Sequence, residues 1–277
     1  MKTILVPTDF SALSKVAVLY ALQLAIKTDA NIILLAVINI HDSKKSLLNW
    51  KKLEEEMVDT ARQDGEQLIR EVTSALNSTV PISYRSIIGF PIEEMIDLFA
   101  VDNGIDLIVM GTKGATGLKK VLMGSNAVAV INNSSVPVVA VPVDAEFRPV
   151  HKIVYPTDMV SLNDEIKTMA RVARLFDATI CILHVIPSDA TIKIDGKKEE
   201  EDLIKLTGYP KISFHVSRND SITKEVDAFV VDQQADMLAM FTHKLDFFEN
   251  LFGKSVTHQL AFHTKVPMLT FNKTMLK

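Results

Sequence analysis

The 277-residue sequence predicts an α/β protein of two tandem, doubly wound parallel-sheet domains, and three observations carry that expectation. The chain repeats itself in order: Ile4-Leu5-Val6-Pro7-Thr8-Asp9 returns as Ile153-Val154-Tyr155-Pro156-Thr157-Asp158, Asp29–Val37 as Asp177–Val185, Phe99–Met110 as Phe229–Met240, and Val136–Val139 as Val266–Leu269. Each copy alternates short runs rich in Val, Ile and Leu with stretches of helical period, the pattern of βα units. The runs are continuously apolar rather than apolar at every second residue, so the strands are expected to be parallel and covered by helices on both faces.

In the first copy the strands are expected at residues 2–7, 31–38, 82–88, 106–111 and 137–142. Between the second and third lies a predicted helix over 45–76, with Leu53, Met57, Ala61, Leu68, Val72 and Leu76 on one face and charged residues elsewhere. Matched anchors are 149 residues apart at Ile4, 148 at Asp29 and 130 at Asp106, so the second copy lacks about the length of one long helix. Only a short polar stretch, 189–207, stands in its place. The segment DAEFRP at 144–149 interrupts two apolar runs, and the expected domains are 1–146 and 147–277.

With 48% hydrophobic and 23% charged residues, both copies can build cores. Residues 1–146 carry 13 Lys+Arg against 17 Asp+Glu and the remainder 17 against 17, which lacks the basic excess expected of a nucleic-acid or anionic-membrane binder. Pro7, Thr8 and Asp9 break the opening apolar run before it reaches the length of a signal core, and no later run approaches a membrane span. Cys181, the single cysteine, has no partner in the chain and reads as a small buried hydrophobe. The expected location is cytoplasmic.

In open parallel sheets ligands bind beyond the carboxyl ends of the strands, which directs attention to Pro7-Thr8-Asp9, Val37, Gly89 and Gly111. Four of the ten glycines fall in residues 111–124, directly after a strand, in the pattern Gly111-x2-Gly114-x9-Gly124-Ser125, followed by a helical run. A strand, a glycine loop and a helix start together offer free backbone N–H groups and the positive end of a helix dipole to a polyphosphate. Ser125 can cap that helix and donate its hydroxyl. Neither commoner phosphate motif fits: Gly111-x2-Gly114-x2-Gly117 lacks the paired start of the dinucleotide fingerprint, and Gly253-Lys254-Ser255 has Phe248 where a P-loop needs its first glycine. Asp9 reads either as a helix N-cap or as a ligand contact, and the glycine loop in the same copy favours the second.

These residues make the chain resemble the universal stress protein family, in two copies joined head to tail. The resemblance implies an adenine nucleotide alpha-hydrolase-like fold and an intramolecular pseudo-dimer. It also implies ATP as ligand, with Mg2+ or Mn2+ carried by the phosphates. Gly111, Gly114, Gly124 and Ser125 meet the pattern of the family's ATP-binding members in full. By the same resemblance Asp9 contacts ribose or adenine, the Val37 backbone holds adenine, and Pro7, Thr8, Met110 and Asn126 line the pocket. Val138–Val141 and Met268–Phe271 are implied edge strands for pairing between the domains, and a homodimer is compatible with them.

The second copy departs from the pattern: Phe241 stands for Gly111, Lys244 for Gly114 and Lys254 for Gly124, with Ser255 retained. Side chains there block a backbone approach to phosphate, so this copy is not expected to bind ATP in the same way, and Asp158 reads as a turn residue. Lys113, Lys119 and Lys120 read as solvated, and His243, His258 and His263 lack the spacing of metal ligands. Phe247, Phe248, Leu251 and Phe252 read as packing, or as an apolar surface for an unidentified protein partner. The leading reading is an ATP-binding stress-response protein with one site in the first domain and no assigned catalytic residue. The competing readings are a slow ATPase or nucleotidyl-transfer enzyme on the same scaffold, and an interaction protein with a vestigial pocket.

Overall fold

Thr3–Pro7 (β1) forms the middle of the first sheet because Ile4, Leu5 and Val6 are fully buried and accept helices on both sides. The structure, a computed structural model, describes residues 1–39, 50–112, 121–122, 124–242, 261–262 and 266–272. The chain divides into two compact units, residues 1–114 with 123–143, and residues 144–277 with 115–122.

In the first unit β1 is followed by Ala12–Thr28 (α1), Asn31–Ile38 (β2), Trp50–Leu76 (α2), Ile82–Ile88 (β3), Ile92–Asp102 (α3) and Leu107–Gly111 (β4). Ser125–Asn133 (α4) and Val138–Val141 (β6) come next, while Val121–Leu122 (β5), between β4 and α4 in the chain, belongs to the second unit. The sheet runs β3-β2-β1-β4-β6, every neighbour pair parallel, so the strand order reverses between β1 and β4. The predicted strands 31–38 and 82–88 coincide with β2 and β3, and the others agree within a residue at each end. The expected helix face is present on α2: Ala61, Leu68 and Val72 are buried, with Leu53, Met57 and Leu76 half-buried. Residues 45–49 of that expectation lie outside the described residues.

The second unit repeats the plan with Lys152–Pro156 (β7), Leu162–Phe176 (α5), Thr179–Ile186 (β8), Gly196–Thr207 (α6), Ile212–Arg218 (β9), Ile222–Asp232 (α7) and Met237–Thr242 (β10). It ends with Ala261–Phe262 (β11) and Met268–Asn272 (β12). Its parallel order is β9-β8-β7-β10-β12, and β5 pairs antiparallel with β11. One expectation is corrected. The stretch at 189–207 is not merely a polar connection, because residues 196–207 form a helix of 12 residues where α2 has 27. Asp195 caps it by accepting from Lys198 N, Gly208 ends it in the left-handed region at φ 60°, and Leu203 anchors it in the core.

The repeated anchors have physical causes. Asp29 and Asp177 both close the first helix of their copy in the left-handed region, their N–H groups bonded to Ala25 O and Ala173 O. Asp106 Oδ2 accepts from the backbone N–H of Lys2 (2.6 Å) and Thr3 (3.0 Å), and Asp236 Oδ2 from His151 (2.8 Å) and Lys152 (2.9 Å). Each aspartate thereby fastens the start of a central strand to the start of its neighbour. Asp106→Ala is expected to lower the stability of the first unit by about 1 kcal/mol. The fluorescence of Trp50, the single tryptophan, reports that unit in urea unfolding; an unchanged midpoint would remove the anchoring role.

Candidate functional site

The site begins where β1 leaves the sheet. Thr8 N makes the last bond to β2, to Leu35 O at 2.9 Å, and the chain turns through Phe10 at φ 60° into α1. Thr8 Oγ1 accepts from Phe10 N (3.0 Å) and donates to Ser14 Oγ (2.9 Å), while Asp9 Oδ1 accepts from Ser11 N (3.0 Å). The helix cap is Ser11, whose hydroxyl accepts from Ser14 N. Asp9 is therefore exposed at the carboxyl end of the sheet and is not the cap. Partial desolvation would raise its carboxyl, but hydrogen bonding, from Ser11 above all, outweighs it and holds the group below its ordinary value.

Val37 lies beyond the end of β1. In β2 the odd-numbered residues direct their backbone groups to β1, as Asn31 N to Lys2 O and Leu35 O from Thr8 N show, and the even-numbered ones direct theirs to β3, as Ile32 N to Pro81 O and Ile38 O from Gly89 N show. This alternation turns the Val37 N–H and C=O toward the side that β1 has vacated. Pro7 is the last residue of β1, paired with Leu35, and Met110 is buried on β4 beside Ala140 of β6.

Gly111 has a cause that the spacing alone did not reveal. A Cβ there would stand 3.0 Å from both Leu13 Cγ and Leu13 O, so the missing side chain is what admits the first turn of α1 against the end of β4. Gly124 also differs from expectation. It, and not Ser125, is the N-cap of α4, and it makes no side-chain cap bond. Ser125 and Asn126 are exposed in the first turn, whose N–H groups are thus uncapped by the residue before them. The structure places Pro7, Thr8, Asp9, Val37, Met110, Gly111 and Thr112 at the carboxyl ends of β1, β2 and β4, with Gly124, Ser125 and Asn126 at the start of the helix that follows. Gly114 lies outside the described residues, as do Lys113, Lys119 and Lys120.

The second unit keeps the backbone of the turn and changes its contents. Thr157 N bonds Leu183 O at 2.9 Å, Met159 at φ 68° gives its N–H to Thr157 Oγ1, and Asp158 Oδ1 accepts from Val160 N. Strand register makes Val6, Ala36, Gly111 and Val141 the counterparts of Tyr155, His184, Phe241 and Phe271. Phe241 is buried, stacked on Phe271 with centroids 4.8 Å apart and edge-on to Tyr155 at 5.7 Å. The Tyr155 hydroxyl donates to buried Glu165, and burial, with the Glu165 charge behind it, pushes that hydroxyl well above its ordinary value. His184 Nδ1 bonds Thr157 O at 2.9 Å. Sequence reasoning found Phe241 but missed Tyr155, His184, Phe271 and Glu165, whose signal was present as larger residues at the matched positions.

Cys181 is buried, and burial pushes its thiol up. Lys244, Lys254, Ser255, His243, His258, His263, Phe247, Phe248, Leu251 and Phe252 lie outside the described residues. Among the described residues no group of three or more His, Cys, Asp or Glu side chains is placed to hold a metal ion, and no helix is long and apolar enough to cross a membrane.

Two parallel sheets of one order, each with the same turn after its central strand, define a duplicated doubly wound α/β protein. The chain belongs to the universal stress protein family, whose sequence profile matches residues 1–142 and again 149–272, making it a tandem of two family domains. It is similar to Universal stress protein MJ0531 of Methanocaldococcus jannaschii, 32% identical over 143 residues that span 50% of this chain and 81% of that protein. Universal stress protein MJ0577 of the same organism is 30% identical over 153 residues, 50% of this chain and 94% of that protein. The crystal structure of a universal stress protein from Archaeoglobus fulgidus matches 98% of this chain and 96% of its own, with a TM-score of 0.66 at 20% identity, and shares the fold.

Gly111→Ala is expected to destabilise the first domain by about 1–3 kcal/mol, because the new methyl displaces the backbone of α1. Urea unfolding followed by Trp50 fluorescence measures it; a stability equal to wild type would mean that α1 yields freely.

Proposed function

We propose that the first domain, residues 1–146, binds ATP, and that the second, residues 147–277, is a degenerate copy with a structural or regulatory role in a cytoplasmic stress-response protein. The observation that carries this reading is the contrast at four matched positions. The first domain has Val6, Ala36, Gly111 and Val141 where the second has Tyr155, His184, Phe241 and Phe271. In the first domain Val6, Ala36 and Val141 are buried and small, and Gly111 lets α1 approach through Leu13, whereas in the second packed aromatic rings fill the matched positions.

In this reading the Val37 N–H and C=O pair with the edge of adenine, and Asp9 accepts from ribose or the base. Residues 111–124 and the first turn of α4 receive the phosphates, through backbone N–H groups and the helix dipole. Pro7, Thr8, Met110 and Asn126 border the site, and Gly114 belongs to it by the glycine spacing. Mg2+ or Mn2+ would arrive on the phosphates, where it would neutralise their charge.

Asp9→Ala is expected to weaken ATP and adenosine by the same factor, about tenfold for the loss of a charge-assisted hydrogen bond. Asp158→Ala leaves both unchanged. Calorimetric titration with each ligand measures the two factors. A loss confined to the triphosphate would move Asp9 to the phosphate end, and a loss on Asp158→Ala would place a site in the second domain.

A further inference from the structure

We propose that Ser14 is a positioning residue for the nucleotide site: it locks the turn Thr8–Ser11 so that the Asp9 carboxylate is held in one geometry. This inference rests on the reading of Asp9 as a ligand contact.

Ser14 is a buried polar residue, 7% exposed, in the first turn of α1, and its bonding is spent on the turn before it. Its Oγ accepts from Thr8 Oγ1 (2.9 Å) and donates to Ser11 O (2.9 Å), and its N–H donates to Ser11 Oγ (3.2 Å). Thr8 Oγ1, fixed by that bond, accepts from Phe10 N (3.0 Å), and Ser11 N donates to Asp9 Oδ1 (3.0 Å). Asp9 thus sits between two residues that Ser14 ties to each other. Phe10, at φ 60°, adopts a conformation unfavourable for a residue with a Cβ, so the turn is held there by its partners.

The second domain supplies the comparison. Its turn has the same positive φ at Met159, the same bond from that residue to Thr157 Oγ1, and the same bond from Val160 N to Asp158 Oδ1. The lock is absent from it. Val160 stands where the turn of the first domain has Ser11, and the helix register set by Asp29 and Asp177 puts the buried Leu162 where α1 has Ser14, so neither hydroxyl of the lock is present. The turn therefore forms without the lock, and what Ser14 adds is rigidity. It adds it in the domain whose aspartate is read as meeting a ligand. A carboxylate already fixed in place avoids the ordering cost on binding, which is how a supporting side chain raises affinity without touching the ligand.

The test is Ser14→Ala in the full chain, with ATP and adenosine titrated calorimetrically and the exchange of the Phe10 and Ser11 amides followed by NMR. The expected result is an affinity for ATP and for adenosine reduced by the same factor, about fivefold for one hydrogen bond, with faster exchange at those two amides. Thr8→Val, which removes the other partner of the Ser14 hydroxyl, reproduces the pattern. Wild-type affinity in Ser14→Ala, or a loss seen with ATP and not with adenosine, overturns the positioning role alone. A wild-type chain that binds neither ligand overturns both this inference and the reading on which it rests.

Discussion

The departure of β1 from the sheet after Pro7 governs the first domain. β1 and β2 pair from Thr3 with Asn31 to Pro7 with Leu35, and one further bond, from Thr8 N to Leu35 O, ends the ladder. β2 continues to Ile38 in partnership with β3. The edge of β2 that faced β1 is then left with the backbone groups of Val37, and the chain that left must turn sharply enough to start α1 two residues beyond Phe10. The same turn sends Asp9 outward and brings Leu13 against the end of β4, which is why residue 111 carries no side chain. An open strand edge, an outward carboxylate and a glycine on the neighbouring strand are three consequences of one backbone event.

Duplication shows which of these consequences belong to the fold and which to the site. The turn with its positive φ, the strand order and the aspartate that fastens the central strand recur in both units. The small residues on the helix-covered face at the carboxyl end do not. Tyr155, Phe241 and Phe271 form an aromatic stack in the second unit, with Glu165 accepting from the tyrosine hydroxyl so that the buried phenol is satisfied. Such a stack strengthens the core by roughly 0.5–1.5 kcal/mol per ring pair beyond burial.

Much of this was legible in the sequence. Continuous apolar runs marked the buried parallel strands, and Asp29-Ala30 and Asp177-Ala178 marked the duplication, but their closing of a helix in the left-handed region came only with the structure. Helix α6 was not legible, because GKKEEEDLIKLT has few apolar residues and only Leu203 reaches the core; its evidence lay in caps, Asp195 and Gly208, rather than in periodicity. The role of Gly111 was hidden for another reason. Glycine in a phosphate-type pattern suggests room for an anion, while its contact with Leu13 is long-range and has no signature in local spacing. The N-cap of α4 was shifted by one residue, since a serine is the stronger capper but the backbone turns at Gly124.

One chain holds two copies of a fold and, as proposed, a single nucleotide site. Calorimetric titration of the nucleotide-stripped chain with ATP and magnesium tests it most directly, through the stoichiometry. One ATP per chain is the expected result. Two would mean that the aromatic stack of the second domain yields to nucleotide, and none would mean that the carboxyl end of the first sheet does not form a site.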